Sequence, residues 1–210
     1  MTFGVNPFPA EVQHTLRTAS ILPKRAAKQF TTSVCSPEWN KFIEEWAPKC
    51  YAFVAQALGP YQQEPMSEIL SIHDGAHSGG ANASFQPDNG QVRLSPSIVE
   101  GKPGTTLEKL THEFMHASLA GFPEGDPFCE EGAVDYSVWV MAHAPIWGEH
   151  RQAMIDAAAF NIECRRDRAM RDLSDYDRKR WAGGLFFNMA YGPWIVTRLK
   201  LRKAEGNFTW

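Results

Sequence analysis

Hydrophobic residues along this chain fall into three zones with different spacing. From 9 to 58 the spacing is helical: Pro9 to Ser20 predicts a short helix, and Ser36-Pro37-Glu38 caps a longer one. That longer segment carries Trp39, Phe42, Ile43, Trp46, Tyr51, Phe53, Val54 and Leu58, read as core packing, and Pro48 is expected to kink or divide it. Between 66 and 100 the pattern shortens to Glu68–Ile72, Ala81–Phe85 and Gln91–Ser95, three runs separated by Gly, Asp and Asn. Pro87-Asp88-Asn89-Gly90 is the clearest hairpin signal. From 103 onward helical spacing returns, first in Leu107, Leu110, Phe114 and Leu119, then, after 126, as far as Trp181 to Lys203, where Pro193 should bend the chain.

These zones predict an α+β fold: a mostly helical part over 1–65, a small mixed or antiparallel sheet over 66–100, and helices over 103–210. At 210 residues and 43% hydrophobic content the chain can bury a real core, and it reads as one domain over 1–210. A net charge of -3 and a pI near 6.2 give no general attraction to nucleic acid or anionic membranes. The mixed-sign run Arg165 to Arg180 reads as a solvated helix face.

The chemistry concentrates in His112-Glu113-Phe114-Met115-His116. On a helix, residues four apart differ by roughly 40° in rotation and about 6 Å in rise, so two imidazoles at this spacing can converge on one cation. Glu113 sits beside them without ligating, where a carboxylate can take a proton from water. Pro103-Gly104 followed by Thr105-x-x-Glu108 reads as a capping box that opens the helix. His73 and His77 are also four apart, but Gly75 and Gly79-Gly80 argue against a helix aligning them.

A hydrolytic zinc site needs three protein donors and an open position, so the two histidines require one more. Asp126 as N-cap with Pro127 after it starts a second helix that contains Glu131, the favoured third donor. Glu130 points about 100° away on such a helix and is disfavoured. Asp135, four residues beyond Glu131, can accept the free N–H of a ligating imidazole. The bland alternative for these acids is a solvated helix start favoured by the macrodipole.

His112-Glu113-x-x-His116 followed by Glu131-Gly132-Ala133 resembles the gluzincin metallopeptidases, in which a glutamate on the next helix completes a zinc site. The segment Glu131 through Tyr136 is similar to that of alanyl-aminopeptidase-type enzymes, and Asp135 resembles the aspartate that holds a zinc-bound histidine in thermolysin-like ones. Asn188 to Trp194 is similar to the segment around the aminopeptidase tyrosine that stabilises the oxyanion, which implies that role for Tyr191. Two departures stand out. The interval from His116 to Glu131 is shorter than in the aminopeptidases, so Ala117 to Gly125 must turn tightly, and Gly80-Ala81-Asn82-Ala83-Ser84 lacks the glutamate that recognises a free amino terminus.

The resemblance implies a zincin-like fold, a Zn2+ cofactor held by His112, His116 and Glu131, a peptide or protein substrate, and an edge strand that pairs with it. Catalysis would fall to Glu113 as general base and Tyr191. Two other classes stay open: a different metal enzyme using the two-histidine, one-carboxylate set, such as an iron oxygenase, and a catalytically silent binding protein of the same fold. No nucleic acid or membrane partner is expected. The N-terminus lacks the pattern of a secretory signal and no run approaches the roughly eighteen apolar residues of a membrane span, which points to the cytoplasm. Cys35, Cys50, Cys129 and Cys164 read as reduced thiols, although a secreted form could pair them in three ways.

Overall fold

The computed structural model describes residues 10–19, 28–72, 82–120 and 131–171. The chain forms α1 (Ala10–Ala19), β1 (Thr31–Thr32), α2 (Pro37–Leu58), β2 (Glu68–Ser71), β3 (Ala83–Gln86), β4 (Gln91–Leu94), α3 (Pro96–Val99), α4 (Pro103–Leu119), α5 (Glu131–Ala142), a 3₁₀ segment (Pro145–His150) and α6 (Arg151–Arg171). The architecture is α+β. Among the described residues, no helix is long and apolar enough to cross a membrane.

The sheet order is β1-β2-β4-β3, with β1, β2 and β4 parallel and β3 antiparallel to β4. The hairpin between β3 and β4 follows from its turn. Gly90 adopts φ +74°, donates its N–H to Gln86 O at 2.8 Å, and lies so close to Glu64 that a side chain there would strike backbone. Ile69 opposes Val92, and these two with Leu94 are buried in the core beneath the helices. The expected strands are present with ends shifted by one or two residues, whereas β1 and α3 had no counterpart in the sequence pattern.

Pro48 does not divide α2, which runs through it as one helix of 22 residues. Ala47, Cys50, Phe53, Val54 and Ala57 on either side are fully or almost fully buried. Their burial holds both halves in one continuous helix against the roughly 3 kcal/mol that an interior proline costs.

At the centre lies α4, packed against α2, α5, α6 and α3 and against β3 and β4. It is buried on nearly every face from Gly104 to Leu119, not along one stripe. The expected capping box is also corrected. The helix begins earlier, at Pro103 with Lys102 as N-cap and no side-chain cap, so Thr105 and Glu108 are interior residues. Proline at the first position sets that start, since its missing N–H is one the helix could not bond anyway.

At Gly104 α4 and α6 approach closely: a methyl group there would lie 2.2 Å from the Ala153 carbonyl oxygen. In an open helix Gly→Ala gains up to about 1 kcal/mol. Here the overlap reverses the sign, and Gly104→Ala is expected to destabilise by about 1–3 kcal/mol, read as a lower urea midpoint at unchanged slope. An unchanged or higher midpoint would show that the two helices part at no cost.

Candidate metal centre

The two histidines sit on adjacent turns of α4 and face each other, with their Nε2 atoms 3.0 Å apart. Glu131, from α5, spans both rings: Oε2 lies 3.2 Å from His112 Nε2 and Oε1 3.4 Å from His116 Nε2. Two ring nitrogens and a carboxylate turned on one point need a positive charge between them, supplied by protons or by a metal. Tetrahedral donors at about 2.0–2.1 Å from zinc lie roughly 3.3 Å from one another. The Nε2–Nε2 separation and the approach of one Glu131 oxygen to each ring are close to that edge length, and one donor atom from each of the three residues lies within 4.8 Å of the others, so the donor set fits the ion.

Exposure is uneven. The His112 side chain is 5% exposed, against 21% for His116 and 23% for Glu131. Glu113 is buried and within electrostatic reach of both histidines, Glu131 and Lys109. Burial pushes its carboxyl above the ordinary value, and the imidazoles pull only part of the way back.

Behind His112 lies a second layer of polar groups. Asp135 Oδ1 is 3.1 Å from His112 Nδ1, short in distance though not aligned with the ring N–H. Glu108, one turn before His112, is buried with Lys109 Nζ at 3.0 Å from its Oε2. Asn161 Nδ2, from α6, donates to Glu108 Oε1 at 3.3 Å and to Asp135 Oδ1 at 3.1 Å. Burial works against the Lys109 charge, but Glu108, helped by Asp135 and Glu113, outweighs it and holds the amine above its ordinary value.

Of the residues expected at the site, His112, Glu113, His116, Glu131 and Asp135 come together. Tyr191 lies outside the described residues, as do His73, His77, Asp126, Pro127, Cys129 and Glu130. Cys35, Cys50 and Cys164 are free thiols. Glu108, Lys109 and Asn161 were not anticipated. Glu108 carries a signal, its four-residue interval before His112, which the resemblance of Thr105-x-x-Glu108 to a capping box masks.

No family model, curated protein or solved structure matches this chain. The likeness to gluzincins therefore rests on the motif residues of the sequence alone.

Without metal, the site has a definite pH signature. Burial alone would lower the His112 pKa, but Asp135 and Glu131 outweigh it and push it up to about 10. Partial burial would raise the Glu131 carboxyl, yet both histidines hold it well below the usual range. These are one interaction seen from two partners. An unfolded imidazole titrates near 6.5, so the stabilisation from His112 is complete below about pH 6.5 and lost as pH rises toward about 10. The contribution of Glu131 is present above its unfolded value and is lost only in stronger acid. Chelator-treated protein is thus expected to lose stability from neutral to alkaline pH, while zinc uptake tightens over the same range as it displaces the proton. Urea midpoints of the metal-free chain that stay flat from pH 6.5 to 10 would contradict this.

Proposed function

We propose that this chain is a zinc-dependent peptidase of zincin-like fold, with His112, His116 and Glu131 as ligands and Glu113 as general base. The observation that carries the reading is the meeting of the two Nε2 atoms and both Glu131 oxygens at separations of 3.0 to 3.4 Å. Bound there, zinc supplies Lewis acidity, which polarises a carbonyl and acidifies water. His112 and His116 present neutral Nε2 lone pairs, and Glu131 contributes one negative charge, so the centre keeps a net positive charge. Asp135 stands 3.1 Å from Nδ1 on the far side of the His112 ring, where accepting that N–H would fix which nitrogen faces the ion.

Glu113 takes a proton from the attacking water and delivers it to the leaving nitrogen as the peptide bond breaks. Its raised pKa brings the carboxylate closer to neutral, where proton transfer in both directions is efficient. Tyr191 is proposed to donate to the carbonyl oxygen as negative charge grows there. Next to α4, β3 ends the sheet, and among the described residues no strand covers its outer edge. An extended peptide can pair with that edge and pass its scissile bond across the metal helix.

The test combines elemental analysis of purified protein with digestion of a mixed peptide library. Close to one zinc per chain, with cleavage that stops on chelation and returns with zinc, supports the proposal. Protein that takes up no zinc under saturating supply overturns it. Bound zinc without cleavage favours the silent binding protein. Bound iron with oxygen consumption favours the oxygenase, a class in which a buried base beside the ligands has no evident task.

A further inference from the structure

The structure assigns Asn161 as a positioning residue: its amide clamps Asp135 and Glu108 in place so that the His112 ring is held ready for metal. This deepens the function proposed above and rests on His112 being a ligand. Among the described residues Glu108, His112 and Asp135 form a second group whose donor atoms lie within 4.8 Å of one another, and all three are buried. Taken by itself that group resembles another cation site. The Asn161 amide already fills it, with Nδ2 at 3.3 Å from Glu108 Oε1 and 3.1 Å from Asp135 Oδ1.

An amide nitrogen carries two hydrogens, one for each carboxylate. Facing two carboxylates, only the nitrogen end of the amide is compatible, since the oxygen would be repelled. Lys109 takes the other oxygen of Glu108. The result is a continuous chain, Lys109 to Glu108 to Asn161 to Asp135 to His112, that links α4, α6 and α5. Without the amide, two buried carboxylates would face each other at close range, and Asp135 would be free to turn away from His112.

The test compares the full-length wild type with Asn161→Leu, which keeps the volume and removes both donors, and Asn161→Ser, which keeps one donor. Zinc affinity is read by competition with a chromophoric chelator, ligand geometry from the absorption bands of the Co2+-loaded protein, and the His112 ring nitrogens from long-range 1H–15N NMR of metal-free protein. Partners of this kind cost about 10- to 100-fold in metal affinity when removed. Asn161→Leu is expected to show a loss of that size, altered Co2+ bands and a shifted His112 Nδ1 resonance. His143, whose Nδ1 pairs with Trp139 O, should remain unchanged. Asn161→Ser should fall between Leu and wild type.

Unchanged zinc affinity with an unchanged His112 resonance overturns the clamp. So does a loss of affinity in which the His112 resonance stays put, because the effect is then general destabilisation. Wild-type protein that takes up no zinc overturns the hydrolase reading instead, and the metal-free NMR comparison still decides the clamp.

Discussion

Replacing Glu113 with Gln is expected to lower peptide cleavage by about 10²- to 10⁴-fold, the range general-base catalysis supplies, while zinc remains bound. Gln preserves the length and shape of the side chain, so the buried space beside the histidines stays filled. It removes the one capacity the mechanism needs, a carboxylate oxygen that can accept a proton. Zinc content should be unaffected, because Glu113 follows His112 on the helix and leaves the ligand set intact. Removing a buried carboxylate whose pKa is already raised by desolvation should not reduce stability either. Cleavage within tenfold of wild type would rule Glu113 out as the base. Loss of zinc in the same variant would instead make it part of the coordination shell.

Removal of the Glu131 carboxylate by Ala should have its main effect on zinc itself. Two imidazoles alone leave the ion with fewer donors than zinc enzymes provide. Partners that only orient ligands cost up to about 100-fold in affinity, so deletion of a ligand should exceed that figure in chelator competition. An Asp135→Asn control, which keeps an oxygen near His112, should stay within it. The order Glu131→Ala worse than Asp135→Asn is the discriminating result. Equal losses would mean that Glu131 acts through the histidines, as an ion-pair partner of the protonated rings and not as a donor. The metal-free Glu131→Ala protein should also have a lower His112 pKa, since that carboxylate helps to raise it.

The parts of this site that could be read in the chain are those set by local repetition. His112 and His116 are four apart, and Glu131 and Asp135 are four apart, so a helix of either sequence brings each pair onto one face. The β3–β4 hairpin is equally local, fixed by a turn whose Gly90 takes a backbone conformation that other residues resist. β1 was missed for the opposite reason: Thr31 pairs in parallel with Glu68, 37 residues away, and two threonines carry no periodicity of their own. Glu108 is hard to place from sequence because Thr-x-x-Glu looks alike at a helix start and three residues further in. Asn161 had no local signal at all, since its partners are 53 and 26 residues distant.

The uneven exposure around the two rings gives the centre a front and a back. His112, walled in by Asp135, Glu108 and Asn161, forms the rear, while the more open His116 and Glu131 form the approach. If the centre works as proposed, ions and peptide chains would enter by that forward flank, and a change of specificity would be engineered there while the rear wall is left alone.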